Sequence, residues 1–289
     1  MEYFAQLLVN GIAVGAVYGM VGVGLSLIFG ILEVVNFAQG EFYMVGAYVA
    51  WYVVSQLGAP YAVGILAAAA AVGLLGVLVQ VVGIRPVAER GWMLPIVATL
   101  GVGYVLQTVA IATLTSNPRT YSTALALKSV DILGVTVNLQ RVLVVGVAVA
   151  LFVALHLFVQ KTRIGKAMRA VSQNKDASRV LGLPIEKIGL LAFGVSGMLT
   201  GVAGAIVSPI ASVFPQMGAI VTLKAFAVVI LGGFGNIKGA IVAAFIIGVG
   251  ESFWAGYGSY QYRDIIAFLI LITILLVKPQ GLFGKKAGI

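Results

Sequence analysis

The chain has 289 residues, 61% of them hydrophobic and 9% charged, against about 45–50% and about 25% in an average soluble domain. That is more apolar surface than one water-facing fold can hide, which excludes a soluble enzyme. With no cysteine and a single histidine, His156, the chain also lacks the means for disulfides, thiolate chemistry, and cysteine or multi-histidine metal sites.

Uncharged apolar runs mark the elements, since about 20 helical residues cross a hydrocarbon core of about 30 Å. Five such runs lie at 7–29, 61–83, 92–114, 142–160 and 188–207. Another at 37–57 carries Glu41 near its start, and a shorter last one at 264–277 precedes Lys278 and Pro279. No Lys or Arg precedes Arg85, so the first run lacks the basic flank of a signal peptide and is expected to be retained. Between 219 and 257 there is room for two helices, divided by Gly232-Gly233-Phe234-Gly235-Asn236-Ile237-Lys238-Gly239. The expected fold is an all-α polytopic membrane protein, one domain over 1–289 with about nine transmembrane helices. Eight is the alternative, if 219–233 only enters the membrane and returns.

Nine spans sort the basic residues unequally. One face receives Arg85, Arg90, Lys161, Arg163, Lys166, Arg169, Lys175, Arg179, Lys187, Lys238, Lys278, Lys285 and Lys286; the other receives Arg119, Lys128, Arg141 and Arg263. The richer face is expected to be cytoplasmic, with the N-terminus outside and the C-terminus inside. Lys224 is expected near a helix end on the outer face, its stem snorkelling. The formal charge of +9 lies between apolar runs and not on one solvated face, which argues against a nucleic-acid partner and for membrane lipid.

Two loops stand out. The external loop at 115–141 alternates through Val130, Ile132, Gly134, Val135, Val137 and Leu139, which reads as a small hairpin or as an irregular loop. The loop at 161–187 holds seven basic and two acidic residues in 27 positions. Within it a basic helix runs from about Arg163 to Val171. A second short helix follows, with Asn174 as N-cap, Asp176 in the first turn, an apolar face of Ala177, Val180 and Leu181, and Gly182 and Pro184 as its stop. Two turns of helix are marginal alone, so the face invites a partner's groove, unless the loop only sets topology.

Two spans look broken. Residues 26–48 and 205–226 each read as helix end, polar break and new helix, sharing a loose Val, Phe, Gln, Gly order: Val35, Phe37, Gln39, Gly40 and Val213, Phe214, Gln216, Gly218. With nine spans the breaks face opposite sides, a weak internal inverted repeat. Interrupted helices often flank a permeation path, where freed backbone groups meet water or substrate. Asn36, Gln39, Gly40, Glu41, Gln216 and Gly218 are therefore the candidate path residues; the alternative makes both breaks interfacial turns anchored by Phe37 and Phe214. Glu251 and His156 are the ionisable residues expected inside spans, each towards a helix end. Glycines at 11, 15 and 19, and at 197 and 201, recur at four-residue spacing, as in close helix packing.

Four stretches carry a resemblance. Gly165-Lys-Ala-Met-Arg169-Ala170-Val-Ser-Gln-Asn174-Lys-Asp-Ala177-Ser-Arg-Val-Leu-Gly182 resembles the cytoplasmic coupling loop of ABC importer permeases. Val35-Asn36-Phe37-Ala38-Gln39-Gly40-Glu41 with Gly46-Ala47-Tyr48, the tail Lys278-Pro279-Gln280-Gly281-Leu282-Phe283-Gly284, and Val229-Ile230-Leu231-Gly232-Gly233-Phe234-Gly235-Asn236 look like the branched-chain amino acid permease family. In length the chain is similar to the LivH-like subunit more than to its longer LivM-like partner.

The resemblance implies a multi-pass subunit of the bacterial cytoplasmic (inner) membrane that imports branched-chain or related hydrophobic amino acids. Its implied partners are a second homologous permease of LivM-like type, two ATP-binding subunits and a periplasmic or other extracytoplasmic substrate-binding protein. Gly165, Arg169, Ala170, Asn174, Ala177 and Gly182 would couple it to the ATPases. No G-x-x-x-x-G-K-[ST] loop occurs, since Ile164-Gly165-Lys166-Ala167 lacks the upstream glycine and the hydroxyl. The chain is thus expected to be non-catalytic and to bind no cofactor, ATP and Mg being used by the partners. Urea or short amides are alternative substrates within the family; a stand-alone secondary transporter or solute channel is the alternative outside it.

Overall fold

A long apolar run in hydrocarbon satisfies its own backbone only as a helix, and the computed structural model, which describes residues 2–88, 90–132 and 135–284, is built on that rule. In chain order the elements are α1 (Glu2–Leu32), α2 (Gln39–Trp51), α3 (Tyr61–Val79), α4 (Met93–Leu114), β1 (Ser129–Ile132), β2 (Val135–Asn138), α5 (Leu139–Lys161), α6 (Arg163–Gln173), α7 (Lys175–Val180), α8 (Ile185–Val207), α9 (Met217–Gly232), α10 (Ile237–Tyr257) and α11 (Arg263–Val277). Wider π-type turns extend α2 over Tyr52–Gln56 and α3 over Gln80–Ile84. Among the described residues seven helices are long and apolar enough to cross a membrane. The exceptions among the apolar segments are α2, with 13 residues, and α9, with 16.

The two ends of the bundle are identified by what meets there. At one end Arg85, after α3, pairs with Glu186 at the head of α8 at 2.7 Å. Gly30 of α1 lies against Gly235 in the α9–α10 turn at the same end. At the other end the backbones of Arg119 and Val213 pair, and the Tyr121 hydroxyl meets Ser208 Oγ at 2.7 Å. There too Tyr61 Oη donates to the Ala205 carbonyl at 3.2 Å.

Helices α1 and α8 run through the centre and bury most of their length, whereas α4, α5 and α11 turn much of their surface outward. The glycine stripes mark the tight contacts. Gly11 and Gly15 admit the backbone of α10 around Phe245 and Val249, while Gly197 and Gly201 admit α3 at Ala68 and Val72. Missing side chains let helix backbones touch, which is how packing holds where lipid supplies no hydrophobic drive.

Strands β1 and β2 pair antiparallel, Val130 facing Val137 and Asp131 facing Thr136. The alternation does not extend to Leu139. Asn138 Oδ1 accepts the Gln140 amide at 2.9 Å, and this N-cap starts α5 at Leu139. Gly134, the expected turn residue, and Lys285 and Lys286, assigned to the basic face, lie outside the described residues. As expected, the break at 232–239 separates two helices, α9 and α10.

Candidate functional site

The two interrupted segments meet. After α1 the chain turns at Glu33, whose φ is +58°, and runs through 34–38 before α2 begins. That start lies deep in the bundle, because Gln39 reaches Ser196 and Thr200, halfway along α8. Helix α9 likewise begins only at Met217, well after α8 ends at Val207. The N-termini of α2 and α9 face each other with Gly40 against Gly218. A Cβ on Gly40 would collide with the Gly218 carbonyl, and one on Gly218 would lie 2.6 Å from the Gly40 carbonyl oxygen. No other residue type lets two helix starts approach so closely.

Helix starts leave amides without partners, and the polar residues of the break supply some of them. Asn36 Oδ1 accepts the Ala38 amide at 3.1 Å, and Asn36 Nδ2 donates to Gln39 Oε1 at 3.0 Å. Gln39 Nε2 donates to Ser196 Oγ at 2.9 Å and also to Thr200 Oγ1. The Gly40 amide donates to Thr222 Oγ1 at 3.0 Å, and the Thr222 hydroxyl donates to the Gly218 carbonyl at 3.1 Å. On the α4 side, Thr99 Oγ1 accepts the Phe37 amide at 3.1 Å. Asn36 and Gln39 are fully buried.

Glu41 differs from its neighbours. It is 7% exposed, and its Oε2 has no hydrogen-bond partner. That oxygen is 2.8 Å from where a Cβ on Gly218 would stand, and its Cγ is 3.5 Å from the corresponding point on Gly103 of α4.

Of the six candidate path residues, five therefore belong to one contact cluster: Asn36, Gln39, Gly40, Glu41 and Gly218. Gln216 does not; it is exposed and its side chain makes no cap bond. Thr99, Ser196, Thr200 and Thr222 complete the cluster without having been signalled, because a lone hydroxyl in an apolar helix reads as ordinary packing. Phe37 packs against Phe226 of α9 with the rings tilted, their centres 4.5 Å apart.

The expectation for Lys224 requires correction. It is 2% exposed, because side chains from α1, α10 and α11 close around its ammonium. Its Nζ donates to Tyr18 Oη at 2.7 Å, Glu251 Oε2 at 2.9 Å and Asp264 Oδ1 at 2.7 Å. Glu251 lies in this network at 4% exposure. His156 instead faces a cavity of about 670 Å³ beside α6, shared with Ser26, Arg169, Ser172 and Lys238.

The loop at 161–187 folds as two capped helices. Thr162 Oγ1 accepts the Gly165 amide at 2.9 Å to start α6. Gly165 packs on the Phe158 and Val159 carbonyls, where a Cβ would collide, and the Arg169 guanidinium donates to the Val159 carbonyl. Ala170 is half-buried. Asn174 Oδ1 accepts the Ala177 amide at 2.8 Å to start α7, and Gly182, with φ of +75°, follows its end in the left-handed region. Ser178 is the buried residue of α7, while Ala177 is exposed and Val180 and Leu181 are 89% and 79% exposed. Arg169 and Gly165 thus fix the loop to α5, and the apolar tip points away.

Two further recognised stretches also join. The tail donates to the last turn of α9, Leu282 N to the Leu231 carbonyl at 2.7 Å and Phe283 N to that of Gly232 at 3.3 Å. Asn236 Nδ2 in turn donates to the Phe283 carbonyl at 3.0 Å. Helix α9 is therefore met by one motif at its start and by two at its end.

Comparison with known proteins agrees with this reading of the motifs. The family model described as "Branched-chain amino acid transport system / permease component" matches residues 7–275. The permease protein BraD of a high-affinity branched-chain amino acid transport system in Pseudomonas aeruginosa is 29% identical, over 98% of this chain and 96% of its own. Its counterpart LivH in Salmonella typhimurium is 28% identical over the same shares. A probable branched-chain amino acid transport permease protein LivH from Methanocaldococcus jannaschii is 30% identical, over 92% of this chain and 88% of its own. The chain is a multi-pass membrane protein, and it belongs to the family of branched-chain amino acid transport system permease components.

Proposed function

We propose that the chain is the transmembrane subunit of an ABC importer of branched-chain or related hydrophobic amino acids, in a bacterial cytoplasmic membrane. In this reading it crosses nine times, N-terminus outside, with α2 and α9 as the inner halves of an inverted repeat. Their junction of Asn36, Gln39, Gly40, Glu41 and Gly218, with Gln216 at its rim, lies on the translocation path. A LivM-like permease completes the path, an extracytoplasmic binding protein delivers substrate, and two ATPase subunits supply the energy with their own ATP and Mg. The chain itself catalyses nothing.

The observation that carries the reading is the α6–α7 loop. A two-turn helix with Ala177, Val180 and Leu181 exposed at its tip, capped at both ends by Asn174 and Gly182, is stiff and apolar. Such a knob fits a groove in a soluble partner. Ala170 and Arg169 stand behind it, tying α6 to the bundle, so force on the knob reaches α5 and α8. A secondary transporter has no use for it.

The test is purification from mild detergent with its neighbours in the operon or membrane. The expected result is co-purification of ATPase subunits and a second permease, retained in Ala177→Trp while ATP-driven uptake is abolished. Arg169→Glu should weaken uptake by loosening the loop from α5. A homo-oligomer that transports alone, or an Ala177→Trp complex with normal uptake, would overturn the proposal.

A further inference from the structure

The polar groups at the α2–α9 junction are nearly all satisfied, and that isolates the one that is not. Asn36, Gln39, Ser196, Thr200 and Thr222 each have partners. The Glu41 Oε2 has none, although the residue is 93% buried. Leaving a carboxylate oxygen unpaired away from water costs several kcal/mol in an ordinary span. Two helix N-termini, each with partial positive charge, face it, yet no donor bonds to that oxygen. An ionised carboxyl accepts and cannot donate. The missing partner is therefore a donor, and a cationic one forms a bond about twice as strong as a neutral one.

A second feature lies beside it. One turn along the same face of α2 from Glu41 is Val45, then Tyr48 and Tyr52; one turn along α4 from Gly103 is Leu106, then Ala110. Together with α3 these residues line an open cavity of about 460 Å³, almost wholly apolar apart from the unpartnered Tyr48 hydroxyl. Small-molecule sites commonly pair such a chamber with a few placed polar groups.

Building on the importer reading, we propose that Glu41 receives the α-ammonium group of the passing amino acid while its aliphatic side chain enters the α2–α3–α4 cavity. The site selects a free ammonium joined to a branched apolar group. Urea and short amides, which bring neither, are poor cargo for it.

The experiment uses the complete transporter, with its ATPases, second permease and binding protein, in proteoliposomes, and measures ATP-driven uptake of L-leucine. Glu41→Gln should lower uptake at least about tenfold with unchanged co-purification of the other subunits. Because this chain has no cysteine, Glu41→Cys gives a chemical test in which shape is held constant. Iodoacetate restores a carboxylate at the position and should restore uptake; iodoacetamide adds a neutral group of the same size and should not. Equal uptake by the two adducts, wild-type uptake by Glu41→Gln, or failure of either reagent to reach position 41 in a working complex would overturn the assignment of Glu41. Any of these leaves the importer reading standing, whereas a complex that never forms removes both.

Discussion

Two buried charged centres sit on the first and second halves of the same broken-helix pair, and they are finished differently. Around Lys224, all three ammonium protons are used, on Tyr18, Glu251 and Asp264, and the groups come from α9, α1, α10 and α11. Around Glu41 no cation faces the carboxylate and its Oε2 has no partner, whereas Glu251, whose Oε1 is likewise unpartnered, has its Oε2 held by Lys224 and Tyr18. A closed centre holds helices in place, since each of its members is costly to release. An open centre holds nothing in place; it stays available. Helix α9 is held by the closed centre on one face and presents Gly218 to the open centre on another, so scaffold and path are opposite sides of one element.

Breaking the closed centre should have the largest effect. Lys224→Met leaves Glu251 and Asp264 facing each other without their cation, and loss of one member of a buried ion pair costs about 3–5 kcal/mol. Thermal unfolding in detergent should fall steeply, and adding Glu251→Gln to the same variant should recover part of the loss. Gly40→Val comes next, because the new side chain meets the Gly218 carbonyl. Overpacking of that kind costs about 1–3 kcal/mol, and uptake should vanish with the α2–α9 contact. Ser196→Ala removes one of the hydroxyl partners of Gln39 and should cost about 1 kcal/mol, with uptake reduced but present.

Glu41→Gln sharpens the comparison from the other side. Removing a charge that no protein group pairs should leave the unfolding temperature unchanged or slightly higher. A drop as large as that of Lys224→Met would make Glu41 part of the scaffold.

The sequence reading recovered the helices where hydropathy decides them: α4 and α9 lie within two residues of expectation, α3 does so once its π-type extension to Ile84 is counted, and α10 ends at the expected Tyr257 although it begins inside the expected break, at Ile237. The breaks were legible too, since Asn36, Gln39 and the glycines interrupt apolar runs in a similar order. What pairs across space was not. Lys224 was misplaced because a lone charge near a helix start reads as exposed, whereas Tyr18, Glu251 and Asp264 from three other helices enclose its ammonium. Glu251 was marked as an ionisable residue inside a span, but nothing local pairs it or Tyr18 with Lys224. Leu139 continued the alternation of the hairpin on paper, but the Asn138 cap claimed it for a helix. In the loop at 161–187 the Asn174 cap and the Gly182 stop were readable, because capping is chemistry between neighbours, while the Thr162 cap of α6 was not read; that Ser178 faces the bundle and Ala177 faces away was settled by packing on the rest of the chain.

The central claim is that the α2–α9 junction lies on the path, and one measurement addresses it directly. Thr222, 8% exposed, faces the Gly40 amide, and Thr222→Cys introduces a thiol of similar size into a chain without any other. The labelling rate by a small polar thiol reagent is compared in the resting complex and during ATP-driven turnover. A rise on turnover is the predicted result, as the two helix starts part to admit substrate and water. The same slow rate in both states would show a sealed contact and contradict the account.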